Sequence, residues 1–300
     1  MSFKTIGWIG TGVMGRSMCG HILDAGYTVY VYNRSQNKTT SLLEKGAHGC
    51  DTPKQVAENA EIIFTMVGYP QDVESVYLGA NGIIENAKPG TVLVDMTTSE
   101  PALAREIATA AAQKGITVLD APVSGGDIGA REAKLAIMVG GEQDTFKKVL
   151  PLFALLGENI ALMGSAGCGQ HTKMCNQILI ASSMIGTVES LLYAQKSGLD
   201  PDAMIDIVGK GAAASWSINN LGRRIIKKNF DPGFFIKHFV KDMGIALKEA
   251  QRMKLSLPGL AQAHQFYVAA IALGHENLGT QGLYKVFEKM NGMNEMNSEA

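Results

Sequence analysis

"TIGWIGTGVMG", residues 5–15, decides how the first half of the chain is read. Residues 5–10 are a short apolar run of the kind that forms a buried strand. Gly10, Gly12 and Gly15 then follow in G-x-G-x-x-G spacing, and residues 13–26 read as a helix with Gly26 as its stop. The first glycine permits a tight turn, the second lets a pyrophosphate approach the backbone, and the third lets helix and strand pack closely. The phosphate rests on the helix N-terminus. Such spacing is weak alone, but here it lies between a strand and a helix and opens a βαβ unit. Gly10, Thr11, Gly12, Val13, Met14 and Gly15 are therefore expected to hold a dinucleotide.

Outward from this loop, short apolar runs alternate with helical stretches. Strands are expected at 27–33, 61–67, 90–97, 116–123, 135–141 and 159–164, with helices at 36–47, 71–79 and 100–115. This alternation predicts an α/β fold, a Rossmann-type parallel, doubly wound sheet over residues 1–164. After 164 the strand pattern stops. Helices are expected at 167–196, about 198–211, 234–254, 258–274 and 279–292, an all-α second domain over 165–300 joined by a long helix.

The end of the second strand discriminates between nicotinamide cofactors. An NAD site usually places a carboxylate there. This chain has Asn33, Arg34 and Ser35, and a guanidinium suits a 2′-phosphate. NADP is expected, with NAD possible.

Between Glu158 and Glu189 the formally charged side chain is Lys173, set among small and apolar residues. A buried ammonium is costly unless paired or used. Asn176 lies three residues on and shares its helix face. This helix starts where the two domains are expected to meet, and clefts between domains are common ligand sites. A lysine there could protonate a carbonyl oxygen as hydride reaches its carbon. Ser124, Gly125 and Gly126 follow a strand and offer a hydroxyl and backbone N–H groups to a carboxylate. Thr98 ends another strand, where it could touch nicotinamide or substrate, or cap the next helix. Asp120 and Asp127, two acids without a histidine nearby, make a poor metal site, and no metal is expected.

At net charge −1 the chain has no electrostatic footprint for nucleic acid. Cys19, Cys50, Cys168 and Cys175 form no C-x-x-C pair, so free thiols in a reducing compartment are expected. The N-terminus enters directly into the strand-like "FKTIGWIG" (3–10) without a signal-peptide pattern, and no apolar run of about 18 residues is apparent. A cytoplasmic protein without nucleic-acid or membrane partners is expected.

Four motifs in order, "GTGVMG", "DMTT", "DAPVSGG" and "GCGQHTKMCNQ", followed by "KDM" at 241–243, resemble the β-hydroxyacid dehydrogenase family. That family includes 3-hydroxyisobutyrate dehydrogenases, tartronate semialdehyde reductases and glyoxylate/succinic semialdehyde reductases. The resemblance implies catalysis by Lys173 and Asn176, a carboxylate-bearing substrate on Ser124–Gly126, and cofactor contacts from Met66, Val67, Thr98 and Lys241. It also implies packing of helical domains into a homodimer or homotetramer. Gln177 stands where the family has a second asparagine. An imine reductase-like enzyme and an inactive NADP-binding scaffold share the fold but typically lack the lysine. A 6-phosphogluconate-type enzyme would need more helical length.

Overall fold

The structure, a computed structural model, describes residues 3–293. Contacts divide the chain after Lys173 into two compact units. The first unit begins β1 (Thr5–Ile9), α1 (Val13–Asp24), β2 (Thr28–Tyr32), α2 (Thr40–Glu44), β3 (His48–Gly49), α3 (Pro53–Asn59) and β4 (Ile62–Thr65). It continues α4 (Pro70–Leu78), α5 (Ile83–Asn86), β5 (Val92–Asp95), α6 (Pro101–Ala112), β6 (Thr117–Asp120), β7 (Val123–Ser124) and α7 (Gly126–Arg131). It closes with β8 (Leu135–Gly140), α8 (Gln143–Phe153), β9 (Gly157–Gly164) and the first turns of α9 (Cys168–Lys196).

The strands form one sheet in the order β3-β2-β1-β4-β5-β6-β8-β7, with β9 on β8. The first six are parallel. Helices cover both faces of this part, so β4 and β5 are buried at every residue and read as unbroken apolar runs. The expected parallel, doubly wound sheet is present, with a departure at its far edge. There β8 runs antiparallel to β6 and β7. The connection into β8 carries only the six-residue α7, too short for a parallel crossover. The run read as one strand over 116–123 breaks into β6 and β7. Helices α3, α5, α7 and α8 were not expected from the pattern. The helix expected at 36–47 is a 3₁₀ turn, Gln36–Thr39, followed by α2.

In the sheet core Trp8 stacks on Phe64 at 5.5 Å between centroids, and Phe153 meets Phe64 edge-on at 6.2 Å. Trp8 also donates from Nε1 to the Gly10 carbonyl at 3.0 Å, tying the core to the loop above β1.

The second unit holds the rest of α9, α10 (Pro201–Val208), a π-helical turn at Ser217–Gly222, α11 (Arg223–Ile226), α12 (Ile236–Arg252), α13 (Pro258–Ala272) and α14 (Leu283–Met290). Met184, Val188, Phe239, Met243, Tyr267 and Leu283 belong to its core. Helix α9 has the length and composition of a membrane span, which the sequence reading did not find. Its apolar side chains Ala181, Met184, Val188 and Leu191 lie in this core, whereas Leu179 and Tyr193 are exposed.

The sequence places a boundary between 164 and 165, whereas the contacts divide the chain inside α9. The reason is local. Asp120, at the end of β6, accepts the backbone N–H of Gly167 at 2.7 Å and of Gln170 at 2.8 Å, capping α9. Gln170 accepts the Ser99 N–H at 2.9 Å and donates to the Thr97 carbonyl at 2.7 Å. Asp120→Ala leaves two buried donors without acceptors and is expected to cost about 2–4 kcal/mol in urea unfolding. A loss below about 0.5 kcal/mol, typical of surface substitutions, would show that this cap contributes nothing.

Candidate active site

The loop after β1 is built by its glycines. Gly10 has φ +95°, and a Cβ there would lie 2.2 Å from the Met66 carbonyl oxygen. A Cβ on Gly15 would lie 2.0 Å from the Gly10 oxygen, so α1 could not pack against its own loop. Around Gly12 a Cβ would meet nothing within 4 Å, which leaves its face open to a ligand. Gly12 begins α1 without a side-chain cap, so the first N–H groups are available to an anion. The Thr11 hydroxyl is buried without a hydrogen-bond partner. Open face, uncapped helix and orphaned hydroxyl together fit the pyrophosphate of a dinucleotide.

Asn33 at the end of β2 accepts the Thr11 N–H at 2.9 Å and donates to the Ser35 carbonyl at 2.9 Å. It thus ties the β1 and β2 loops together. Arg34 points outward, its side chain 86% exposed, with Nη1 3.1 Å from Asp72. An exposed pair of this kind contributes little to stability, so the guanidinium can exchange partners at small cost.

The β4 and β5 ends meet beside this loop. Met66 donates its N–H to the Ile9 carbonyl at 2.8 Å, and Val67 donates to the Thr97 hydroxyl at 3.0 Å. Asp95 Oδ1 accepts the Thr65 hydroxyl at 2.8 Å and the Thr97 N–H at 3.0 Å. Burial pushes the Asp95 carboxyl up to about 6, against these hydrogen bonds, which pull it down. Thr98 sits between Thr97 and Ser99, both held by Gln170. Gln170 in turn precedes Lys173 by one turn of α9, so the structure brings the Thr98 segment and the lysine's helix together. Lys173 is buried at 5% exposure.

Ser124, Gly125 and Gly126 form the turn from β7 into α7. Gly125 has φ +133° and Gly126 +63°, values that L side chains rarely adopt. Their turn lies four residues beyond Asp120, and Ser124 pairs with Ala136 of β8.

Within the second unit, Asn176 donates from Nδ2 to Gln177 Oε1 at 2.7 Å, and Gln177 donates to Asp242 Oδ2 at 2.6 Å. Lys241 Nζ lies 3.0 Å from Asp242 Oδ1. Lys241 and Asn176 thus stand at the two ends of one chain of polar contacts.

Sequence reasoning passed over Asp120, Gln170 and Asp242. Asp120 drew notice only as a poor metal ligand, whereas its oxygens are taken by backbone donors. No local signal marked this role, because the first N–H group that Asp120 accepts lies 47 residues on in the chain.

The Asp95 assignment carries a pH signature. A carboxyl whose folded value is raised from 3.8 to about 6 stabilises the fold fully below about pH 4 and loses that contribution as pH rises through 6. Asp95→Asn keeps the Oδ1 acceptor without the charge. From pH 4 to 7 the stability difference should move in favour of Asp95→Asn by about 3 kcal/mol. Urea unfolding of both proteins across that range checks it; a constant difference would contradict the assignment.

The NAD-binding-domain model of 6-phosphogluconate dehydrogenase matches residues 5–164. The model described as NAD-binding of NADP-dependent 3-hydroxyisobutyrate dehydrogenase matches residues 167–287. A probable 3-hydroxyisobutyrate dehydrogenase-like protein of Arabidopsis thaliana is 52% identical, over 98% of this chain and 88% of its own. The 2-hydroxy-3-oxopropionate reductase of Escherichia coli is 39% identical, over 95% and 97%. The Mycobacterium tuberculosis 3-hydroxyisobutyrate dehydrogenase solved with L-serine superposes at TM-score 0.88 and 27% identity, over 96% and 99%. The glycine cradle, the helix begun by Asp120 and these similarities along nearly the whole chain lead to one conclusion: it belongs to the β-hydroxyacid dehydrogenase family of nicotinamide-dependent oxidoreductases.

Proposed function

We propose that the chain is an NADP-preferring reductase of small aldehyde acids, and in reverse a 3-hydroxyacid dehydrogenase, with Lys173 as general acid and base. The observation that carries this reading is Lys173, buried one turn after Gln170, whose amide clamps Thr97 and Ser99 about Thr98. The names of the relatives, a 2-hydroxy-3-oxopropionate reductase and 3-hydroxyisobutyrate dehydrogenases, support the substrate class.

Gly10, Thr11, Gly12, Val13, Met14 and Gly15 would hold the pyrophosphate. Met66, Val67, Thr98 and Lys241 would border the nicotinamide half. When bound, the reduced nicotinamide supplies hydride to the carbonyl carbon. The backbone N–H groups and hydroxyl of Ser124–Gly126 hold the substrate carboxylate and so fix which carbon is presented. Lys173 gives a proton to the oxygen that gains charge, and as a neutral amine it removes that proton in the reverse direction. Asn176, on the same helix face, fixes the geometry. Asn33, Arg34 and Ser35 replace the carboxylate of an NAD site, and Arg34 can leave Asp72 for a 2′-phosphate. In the same reading the chain works in the cytoplasm as a homodimer or homotetramer. Leu179 and Tyr193, exposed on α9, are apolar surface that such an assembly would cover.

Oxidation of NADPH should be followed with glyoxylate, succinic semialdehyde, tartronate semialdehyde and methylmalonate semialdehyde. Turnover of at least one is expected, and Lys173→Met should lower kcat by about 10²–10⁴. No turnover despite NADPH binding would instead support an inactive scaffold. Arg34→Ala should lower kcat/KM for NADPH about tenfold or more and leave NADH unchanged. Equal effects on both cofactors would remove Arg34 from the 2′-phosphate site.

A further inference from the structure

We propose that Gln177 and Asp242 are positioning residues that dictate which end of the Asn176 amide faces the reacting groups, so that Asn176 offers its carbonyl oxygen there. This deepens the reading of Asn176 as a substrate-holding residue and rests on it.

Hydrogen-bond polarity is imposed from one end of the chain of contacts. An ionised carboxylate only accepts. Asp242 is 1% exposed, and its Oδ1 is engaged by Lys241 at 3.0 Å. Whatever meets Oδ2 must therefore donate, and Gln177 meets it at 2.6 Å. Gln177 is fully buried, so its NH₂ is committed to Asp242 and its carbonyl is turned the other way. That carbonyl only accepts, so Asn176, 2.7 Å away, must present its own NH₂. The outward end of Asn176 is then Oδ1. Reversing Gln177 would set carbonyl against carboxylate and NH₂ against NH₂, reversing Asn176 would set carbonyl against carbonyl, and each mismatch forfeits a hydrogen bond at the buried Gln177. The charge on α12 thus sets the polarity of an amide on α9 through one intervening glutamine. An outward carbonyl suits a partner that carries a proton, such as a hydroxyl of the hydroxy acid or the Lys173 ammonium one turn back. It does not suit the bare oxygen of the aldehyde.

Two variants test this. Gln177→Leu keeps an apolar filler in the buried site but removes both polar ends. It should lower kcat roughly 100-fold, as expected for a misplaced reacting geometry, with NADPH affinity unchanged. Gln177→Glu is isosteric. Protonated, it still donates to Asp242 and accepts from Asn176. Ionised, it loses the donor and repels Asp242, whose charged or titratable neighbours on α12 include Lys241 and His238, while Lys173 lies one turn back on α9. Its kcat profile should therefore show a limb that falls as pH rises and that the parent lacks. A Gln177→Glu profile parallel to the parent, or a parental kcat in Gln177→Leu, would overturn the proposal. A readout independent of turnover is the side-chain NH₂ resonances of protein labelled with ¹⁵N-asparagine and ¹⁵N-glutamine. In the parent, those of Asn176 and Gln177 should be protected from exchange, and Gln177→Leu should release Asn176. An unchanged Asn176 signal would also overturn the proposal. If the parent reduces none of the aldehyde acids while these resonances behave as expected, the polarity relay stands and the substrate assignment falls.

Discussion

The carboxylate of Asp120 receives the Gly167 and Gln170 N–H groups, and the placement of Lys173 depends on that contact. Burial pushes the Asp120 carboxyl up, while backbone donors around the start of α9 pull it down. The positive end of a 29-residue helix favours the same charge. The contact needs space that side chains would take. A Cβ on Gly140 would lie 2.5 Å from Asp120 Oδ1, and one on Gly169 2.4 Å from the Met138 carbonyl oxygen. Glycines in β8 and α9 therefore let the helix begin against the strand ends. Lys173 follows one turn after the second capped residue, so the position of its backbone is inherited from β6.

The same logic recurs at the other strand ends. Asp95 gathers Thr65 and Thr97, Thr97 gathers Val67, and Asn33 gathers Thr11. Each is a buried or half-buried polar group satisfied by a neighbouring loop, so the loops constrain one another. Rigidity of this kind suits a site that must hold donor and acceptor carbons close together. The Thr11 and Ser99 hydroxyls are buried there without hydrogen-bond partners. Ser99 flanks Thr98, and Thr11 lies in the glycine loop. Elsewhere in the first unit, burial is mainly the work of apolar side chains such as Trp8, Phe64 and Phe153, and polarity concentrates where chemistry is proposed.

The second unit contributes differently. Its core is apolar, yet Asp242 and Gln177 are buried within it and linked to Asn176. A buried carboxylate ion-paired with a lysine and hydrogen-bonded by an amide is an expensive way to fill space. Its use is directional, because a group that can only accept imposes an orientation on each amide that follows. Gln177, where the family resemblance leads one to expect asparagine, is the member that spans from α9 to α12.

Much was legible in the order of residues alone. The G-x-G-x-x-G between strand and helix, the alternation of apolar runs with helical stretches, and a lone lysine in a long apolar helix determined the fold class, the cofactor class and the residue to suspect. These are local or periodic signals, written within one strand-turn-helix unit or one helix face. The tertiary structure decided the rest: that β8 runs antiparallel, that Asp120 is a helix cap, that Gln170 clamps the Thr98 segment, and that Asp242 orients Asn176 through Gln177. Each of these joins residues about 50 or more positions apart, or turns on the length of a connection, as with α7. A carboxylate in sequence looks the same whether it will bind a metal, face water or accept two backbone N–H groups. Only the folded chain brings its partners within hydrogen-bonding distance and excludes the water that would otherwise take their place.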